Sequence, residues 1–324
     1  MTKVVRVHRT GGPEVLQIED LPLAKPGKGE ALVRHTAIGL NYIDTYFRSG
    51  LYPAPLPVGI GMEGAGVVEA VGPGVKDIKK GDRVAYAGRP NGSYAEARVM
   101  PADILVKIPK GVSDEQAAAM MLQGMTVEYL LRRTYKLKKG EICLLHAAAG
   151  GVGLIFCQWA KAIGAKVIGV VSSDEKAALA KKHGAAWTIV SSRENFVERV
   201  KAITKGKGVP VVYDSVGKDT WSGSLDCLSP RGLMVSFGNA SGAVGPVDLG
   251  ILSAKGSLYV TRPTLMSYTA TRKELLGSAN ALFKMVAAGK VKIRINQKYK
   301  LYDVVQAHRD LEGRKTTGST IIVP

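Results

Sequence analysis

The residues best suited to chemistry are glycines that follow an apolar segment. Between Leu144 and Gly153 the chain carries the pattern A-x-G-x-x-G, with Ala148, Gly150 and Gly153 at its fixed positions. An apolar strand is predicted before the pattern and a helix after it, which is the context of a dinucleotide-binding loop. Gly150 would let the backbone approach a pyrophosphate, and Gly153 would let helix and strand pack closely. The pattern therefore predicts a nucleotide site, with a purely structural turn as the alternative.

The end of the next predicted strand indicates which dinucleotide would bind. Strand Lys166–Val171 is followed by Ser172 and Ser173, and Lys176 lies one turn into the following helix. Sites for NAD commonly have a carboxylate at this strand end, where it accepts hydrogen bonds from the adenosine ribose. Two hydroxyls and an ammonium suit a 2′-phosphate better, so we predict NADPH rather than NADH. An ordinary helix cap with a solvated lysine remains the alternative.

The elements predicted around this loop change character along the chain. The 324 residues are enough for about two domains. The first third contains short strands and glycine turns, which favour a mainly β unit. Near residue 113, Ser113 and Gln116 form a capping-box pattern, and strands then alternate with helices. Repeated β-α units predict a doubly wound parallel sheet, so the fold class is α/β with a mainly β domain.

Charge and cysteine usage narrow the remaining classes. The formal net charge is +18, but the basic residues are dispersed, so a nucleic-acid-binding face is a minor alternative. Three cysteines without CxxC spacing predict reduced thiols and a cytoplasmic protein, with Cys143 and Cys157 as core residues. The uncharged stretch Ile142–Ala160 has central glycines, so we predict strand, turn and helix there rather than a membrane span.

The chain resembles one known family along its whole length. The segments that carry the resemblance are His8–Leu16, Gly39–Tyr46, Arg48–Pro53, Ala147–Gly153, Tyr213–Gly217, Phe237–Asn239 and Thr261–Pro263. They are similar to the NADPH:quinone oxidoreductase (zeta-crystallin-like) family of the medium-chain dehydrogenases/reductases. The resemblance implies a GroES-like catalytic domain at 1–122, a Rossmann domain at 123–261 and a return segment at 262–324 that completes the catalytic domain. It also implies a homodimer formed through the Rossmann domain.

One departure from the wider superfamily concerns zinc. Zinc alcohol dehydrogenases have a Gly-His-Glu histidine ligand, and here the corresponding segment reads Gly61-Met62-Glu63-Gly64. Asn41–Asp44 occupies the segment that would supply a cysteine ligand. A zinc-independent enzyme lacks a Lewis acid for alcohol oxidation, whereas a quinone is a strong electron acceptor and needs less help. The prediction is reduction of small quinones by NADPH; the alternatives are an enal or enone reductase and a nucleic-acid-binding, zeta-crystallin-like protein.

The resemblance also assigns site residues, position by position. Asn41, Tyr46 and Tyr52 would line the substrate pocket. The residues that would contact the cofactor are Tyr42, Ile43, Asp44, Thr45, Tyr46, Tyr129, Gly150, Gly151, Val152, Gly153, Ser172, Ser173, Lys176, Ser192, Ser215, Phe237, Gly238, Asn239, Ser241, Val260, Thr261, Arg262, Leu265 and Arg314. Relatives often have a tyrosine near Ser191 and Ser192, so the strength of the NADPH preference stays open.

Overall fold

A computed structural model describes all residues, 1–324. The first half contains β1 (Thr2–Val7), β2 (Gln17–Leu21), β3 (Glu30–Leu40), α1 (Tyr42–Ser49), β4 (Val58–Gly59), β5 (Glu63–Val71), β6 (Arg83–Ala87), β7 (Ala97–Pro101), β8 (Val106–Lys107), α2 (Asp114–Ala118), α3 (Met121–Tyr129), β9 (Ile142–His146) and α4 (Gly151–Ile163). Single 3₁₀ turns cover Pro13–Val15 and Ala102–Ile104, and a π-helical turn, Leu130–Thr134, extends α3.

The second half begins with more β-α repeats and ends in a return to strands. It contains β10 (Lys166–Val171), α5 (Asp174–Lys182), β11 (Trp187–Val190), α6 (Phe196–Ile203), β12 (Val209–Asp214), α7 (Trp221–Asp226), β13 (Leu228–Ser236), α8 (Gly250–Ala254), β14 (Tyr259–Thr261), α9 (Leu265–Tyr268), α10 (Arg272–Ala287), β15 (Ile295–Lys300), α11 (Val304–Glu312) and β16 (Ser319–Val323). A 3₁₀ turn, Leu301–Asp303, precedes α11.

The contacts divide the chain into two compact units. Unit 1 comprises residues 1–125, 269–287 and 293–324, and unit 2 comprises residues 126–268 and 288–292. The chain therefore changes unit after Met125 and after Tyr268 rather than after residues 122 and 261, and a short segment after α10 returns to unit 2. The first boundary falls inside α3, so no loop or composition change marks it in the sequence.

Unit 1 is built from two mainly antiparallel sheets. A three-stranded sheet has the order β2-β1-β4, and a seven-stranded sheet has the order β15-β16-β3-β5-β6-β8 with β7 also paired to β3. The last strand, β16, pairs with β3 in the register Thr320 to Leu40. The return segment is thus hydrogen-bonded into the sheet of the first third, and Val33, Val84 and Met100 belong to the core.

Unit 2 contains one parallel sheet of six strands in the order β11-β10-β9-β12-β13-β14. Numbered within the unit, this is the order 3-2-1-4-5-6 of the dinucleotide-binding fold, with its switch point between β9 and β12. The strands are apolar and nearly continuous in burial, as a parallel sheet requires. Leu144, Ile168 and Val212 lie in its core, and the predicted α/β fold class is confirmed.

Several local expectations need correction. The prediction of strands and turns alone for the first third is wrong at α1, an eight-residue helix that begins after Asn41 and ends at Gly50. The capping box at Ser113 and Gln116 is confirmed by reciprocal hydrogen bonds of 3.1 Å, but the helix that it opens ends at Ala118. Residues 126–134, which the sequence pattern also predicts to be helical, form the end of α3 and the π-helical turn.

No helix of the structure is long and apolar enough to cross a membrane. The uncharged stretch is divided among β9, the glycine loop and α4, as predicted. Its cysteines Cys143 and Cys157 are unpaired and buried in unit 2, and so is Cys227.

Candidate active site

The glycine loop lies between β9 and α4 of unit 2. Gly150 is the residue before the first turn of α4, and Gly151 begins the helix. A Cβ atom on Gly153 would lie 2.4 Å from the carbonyl oxygen of Ala147, so only glycine fits against the backbone there. Ala147 itself has a φ of 54°, which turns the chain sharply after the strand. The free N–H groups of the first helical turn face outward from this turn and can receive a diphosphate.

The other predicted cofactor residues of unit 2 follow the ends of neighbouring strands. Ser172 follows β10, Ser192 follows β11, Ser215 follows β12 and Phe237 follows β13. Because all strands of this sheet are parallel, these positions lie at the same edge as the glycine loop. The structure therefore brings the predicted groups of unit 2 to one edge of the sheet.

A polar cluster at the end of β10 matches the predicted 2′-phosphate site. The Lys176 ammonium donates to Ser172 Oγ at 3.3 Å, while Ser173 Oγ caps α5 by accepting the Lys176 backbone N–H. Asp174, the first acidic residue after the strand, forms a two-bond ion pair with Arg193 at 2.6 Å per bond. Sequence reasoning missed Arg193, whose only signal was its position three residues beyond the end of β11.

The loop after β12 is held by a buried carboxylate that the sequence analysis did not single out, and Ser241 and Arg262 connect it to the loop after β13 and to β14. Asp214 is fully buried, and its Oδ1 accepts the backbone N–H groups of Val216 and Gly217 at 2.7 and 3.1 Å. The Ser241 hydroxyl donates to the Val216 carbonyl at 2.9 Å, so this side chain braces the loop. Arg262 Nη1 donates to the Gly238 carbonyl at 2.9 Å, which ties the end of β14 to the same loop.

Tyr129 is buried at the end of α3, before the π-helical turn. It is 2% exposed and stacks on Tyr268 with ring centroids 4.4 Å apart and planes 8° from parallel. The Arg133 guanidinium lies 5.1 Å from the Tyr268 ring centroid. Burial raises the pKa of Tyr129 well above its ordinary value, so the phenol stays neutral. Of the remaining predictions in unit 2, Leu265 is buried, whereas Val260 is exposed on β14.

The predicted substrate residues of unit 1 form an aromatic cluster on and after α1. The Tyr46 ring lies 5.7 Å from that of Tyr42 and 5.0 Å from that of Tyr52, measured between centroids. Tyr46 is 7% exposed, while Tyr42 and Tyr52 are half-buried. The structure thus brings these three tyrosines together. Burial raises the pKa of Tyr42, and the charges of Arg314, on an exposed turn after α11, and Arg48 partly offset that rise.

Two side chains assigned to the cofactor point into unit 1 instead. Asp44 is fully buried, and its Oδ2 accepts the Tyr94 hydroxyl and the Asn41 backbone N–H, both at 2.9 Å. Burial raises the pKa of Asp44 to about 7. Thr45 Oγ1 donates to the Tyr42 carbonyl at 2.7 Å within the helix. Only the backbone of these two residues could reach a cofactor.

A buried ion pair anchors α1 to α11. Arg48 is 2% exposed and donates two hydrogen bonds, of 2.7 and 2.8 Å, to the Glu312 carboxylate. His308 accepts from Arg48 at 3.2 Å and lies 3.1 Å from the Tyr94 hydroxyl. Burial, with the Arg48 charge, lowers the pKa of His308 to about 3, so the imidazole is neutral and serves as a hydrogen-bonding spacer.

Asn41 is the predicted substrate residue with the most constrained side chain. It is 5% exposed, its Nδ2 donates to Glu63 Oε2 at 2.6 Å, and its Oδ1 accepts from Gln123 Nε2 at 3.1 Å. Glu63 is fully buried, and burial raises its pKa to about 8 against the opposing effect of its hydrogen-bond donors. Sequence reasoning identified Glu63 only as a neighbour of Met62.

The donor chemistry of this region does not suit zinc. Met62, 1% exposed, stands beside Glu63, and a thioether is a poor zinc ligand. Nowhere in residues 1–324 do three or more His, Cys, Asp or Glu side chains gather in a group that could hold a metal ion.

Two known domain families match this chain and define its class. Residues 27–110 match the alcohol dehydrogenase GroES-like domain, and residues 151–280 match the family described as zinc-binding dehydrogenase. The chain is therefore a dehydrogenase-type protein with a GroES-like domain and a Rossmann-like domain, as predicted.

Full-length relatives define the family more narrowly. The chain is 58% identical to a quinone oxidoreductase of Pseudomonas aeruginosa and 55% identical to quinone oxidoreductase 1 of Escherichia coli, with complete coverage of both chains in each case. It is 44% identical to a 2-haloacrylate reductase of a Burkholderia species over 100% of this chain and 99% of that one. The crystal structure of the E. coli quinone oxidoreductase complexed with NADPH superposes with a TM-score of 0.98 at 55% identity over the whole of both chains. The chain belongs to the quinone oxidoreductase family, which confirms the resemblance seen in the sequence.

Proposed function

We propose that this protein is an NADPH-dependent quinone oxidoreductase that reduces small quinones. The observation that carries the proposal is the glycine loop at the switch point of the parallel sheet. Gly153 lets α4 pack against the backbone of Ala147 and Ala148, and Gly150 and Gly151 leave half-buried backbone at the start of the helix, where a diphosphate can bind. The names of these relatives as quinone oxidoreductases, and the NADPH in the crystal structure of the E. coli protein, support this choice of cofactor and acceptor.

The preference for NADPH over NADH rests on charge at the end of β10. Lys176 and Ser172 offer an ammonium and a hydroxyl to the 2′-phosphate. Ser192 follows β11, the strand that pairs with β10. The Asp174 carboxylate would repel that phosphate, but Arg193 pairs with it and offsets its charge. The site accordingly favours the phosphorylated dinucleotide.

When bound, NADPH supplies the reducing electrons as a hydride donor. The residues of this chain bind and orient the two reactants. The loop Gly150–Gly153 holds the diphosphate, and the loops braced by Asp214 and Arg262 hold the nicotinamide end. Tyr42, Tyr46 and Tyr52 present a half-buried aromatic surface to a flat quinone ring. Their phenols can donate hydrogen bonds to the quinone oxygens, on which negative charge develops as the ring is reduced.

The reaction is proposed to be independent of zinc. Met62 and Asn41 occupy the segments that would supply metal ligands, and neither has the donor chemistry of a zinc site. The residues that we assign to catalysis and substrate binding lie in 1–122 with 262–324, and those that bind the cofactor lie mainly in 123–261. We assign these segments to the catalytic and the Rossmann domain, respectively.

The assembly is proposed to be a homodimer formed through the Rossmann domain, in the cytoplasm. β14 is the edge strand of the unit 2 sheet, and it exposes Tyr259 (62%) and Val260 (39%). An exposed apolar edge strand is suited to pairing with another copy of itself. Three buried unpaired cysteines fit a reducing compartment.

A second candidate acceptor is an activated alkene. The 44% identical relative named 2-haloacrylate reductase favours it, because hydride addition to an alkene conjugated with a carbonyl is chemically close to quinone reduction. Steady-state consumption of NADPH with 1,4-naphthoquinone, 9,10-phenanthrenequinone and simple enals separates the two. We expect the quinones to be the better acceptors. Turnover of enals with no quinone turnover would contradict the proposed function.

A further inference from the structure

Four buried side chains of unit 1 are linked by a series of hydrogen bonds, each donated towards Glu63. Ser319 Oγ donates to Gln123 Oε1 at 2.7 Å, Gln123 Nε2 donates to Asn41 Oδ1 at 3.1 Å, and Asn41 Nδ2 donates to Glu63 Oε2 at 2.6 Å. The other carboxylate oxygen accepts the backbone N–H of Leu122 at 2.7 Å. All four side chains are buried, with exposures between 0 and 7%. We call this set the Ser319–Glu63 chain.

The direction of this chain is fixed at the Glu63 end. A backbone N–H can only donate, so the Glu63 oxygen that faces the Leu122 N–H must be an acceptor. An ionised carboxylate has no hydrogen to give, so the second oxygen must also accept, and the Asn41 amide must turn its Nδ2 towards it. Gln123 and Ser319 then have one consistent orientation each. The carboxylate, together with the Asp44 backbone N–H that faces the Asn41 side chain in the capping box of α1, thus determines which end of the Asn41 amide faces which neighbour.

We propose that Glu63 is a positioning residue for quinone reduction, which sets the orientation of the Asn41 amide through the Ser319–Glu63 chain. The inference rests on the proposed function and on the assignment of Asn41 to the substrate pocket, which the family resemblance implies. Asn41 is also the N-cap residue of α1, the helix that carries Tyr42 and Tyr46. Its second Nδ2 hydrogen lies on the Glu63 side in the observed orientation and would lie on the Gln123 side if the amide reversed. The position of this Asn41 N–H, a donor for the quinone oxygen, therefore depends on whether Glu63 is ionised or neutral.

Protonation of Glu63 would change the orientation of the Asn41 amide. A neutral carboxyl has one acceptor and one donor, so with Leu122 still donating, its hydroxyl would have to donate to Asn41 Oδ1 and reverse the chain. Burial raises the pKa of Glu63 to about 8, which makes both states accessible near neutral pH. The other titratable groups that interact with it are Asp44 at the start of α1, Tyr86 on β6 and Tyr94 before β7.

The test is the isosteric variant Glu63→Gln. Its amide can accept from Leu122 with the oxygen only if its nitrogen donates to Asn41, which reverses the chain without changing its shape. We expect about a tenfold loss of kcat/KM for 1,4-naphthoquinone, the effect of misplacing one hydrogen-bond donor, with an unchanged Kd for NADPH. In wild type the side-chain amide NMR signals of Asn41 should titrate with Glu63, and that titration should vanish in Glu63→Gln while any arising from Asp44 persists.

A double variant separates orientation from stability. Glu63→Gln with Gln123→Glu satisfies the four side chains of the Ser319–Glu63 chain in the reversed direction, because Asn41 and Ser319 can then both donate to the carboxylate at position 123. We expect its thermal midpoint to stay close to that of wild type while kcat/KM for the quinone stays low. Glu69→Gln, also on β5 but partly exposed, is the matched control and should leave the kinetics unchanged.

Wild-type quinone kinetics in Glu63→Gln, or full recovery in the double variant, would overturn the inference. Absence of quinone turnover in the wild-type enzyme would instead contradict the proposed function, and the NMR titration would still test the chain of hydrogen bonds.

Discussion

Among single residues, the proposed preference for NADPH depends on a few charges at the end of β10. Lys176 and Ser172 are hydrogen-bonded to each other there, and Arg193 pairs with the Asp174 carboxylate. A 2′-phosphate carries close to two negative charges, so the net charge of this small region decides between the two dinucleotides.

Removing the Lys176 ammonium should therefore act on NADPH alone. In Lys176→Ala we expect the Kd for NADPH to rise about tenfold or more, the range of a charge-assisted hydrogen bond, and the Kd for NADH to change little. Fluorescence titration of both cofactors measures the two values. Lys181→Ala, in the last turn of the same helix, is the control and should alter neither. Equal losses for NADPH and NADH in Lys176→Ala would refute the assigned role.

Groupings of residues that are close together in sequence could be predicted, whereas contacts between residues far apart in sequence could not. Ser172, Ser173 and Lys176 follow one strand end, so the sequence alone was enough to propose them as a phosphate site. The pairing of Asp174 with Arg193 depends on the alignment of β10 with β11. Gln123 and Ser319 are separated by 196 positions and meet only because β16 joins the sheet of the first third. No local pattern carries that information.

At the scale of elements, the β9–α4 turn is the part that the sequence specified most directly. Its glycine spacing has a steric cause, because a Cβ on Gly153 would lie 2.4 Å from one backbone atom and 2.5 Å from another. Backbone cannot move aside as a flexible side chain can, so the helix or the loop would have to shift.

Gly153→Ala should consequently damage both stability and cofactor binding. We expect the free energy of unfolding to fall by about 1–3 kcal/mol through overpacking, and NADPH affinity to fall with the displaced loop. Denaturant unfolding and NADPH titration measure these effects. Gly277→Ala is a matched control, since Gly277 lies inside α10 with nothing within 4 Å of the added Cβ. That change should raise stability by about 0.5–1 kcal/mol. Unaltered NADPH binding in Gly153→Ala would contradict the role of the loop.

Helix α1 shows where element prediction failed. Its eight residues lie between strands and are too few to be recognised by periodicity alone, and its polar residues Asp44, Thr45 and Arg48 are buried rather than exposed. The usable signals were an Asn at the cap position, an Asp three residues later and a Gly after the end. Tertiary partners such as Tyr94 and Glu312 form hydrogen bonds with Asp44 Oδ2 and Arg48, and these partners are distant in sequence.

At the scale of the whole molecule, the order of the two units followed from the change in pattern near residue 113. The return of the last segment to unit 1 did not follow from pattern, because β16 reads as an ordinary short strand. Resemblance to a family supplied that connection, and the pairing of β16 with β3 gives it a structural basis.

The exposed edge of the unit 2 sheet provides a test of assembly. We expect Tyr259→Lys to convert a dimer to monomers, because a charge on β14 opposes edge-to-edge pairing. Sedimentation velocity or light scattering measures the mass. Tyr302→Lys is the matched control: its side chain is 63% exposed, against 62% for Tyr259, but it lies in unit 1. A wild-type mass of one chain, or a dimer that survives Tyr259→Lys, would contradict assembly through this edge.

The central claim is that this chain passes electrons from NADPH to quinones without a metal. The most direct measurement is steady-state turnover of NADPH with 1,4-naphthoquinone by protein that has been treated with a chelator and checked for zinc by elemental analysis. We expect full activity in the zinc-free protein and a clear preference for NADPH over NADH. Activity that disappears with the chelator and returns with stoichiometric Zn²⁺ would contradict it.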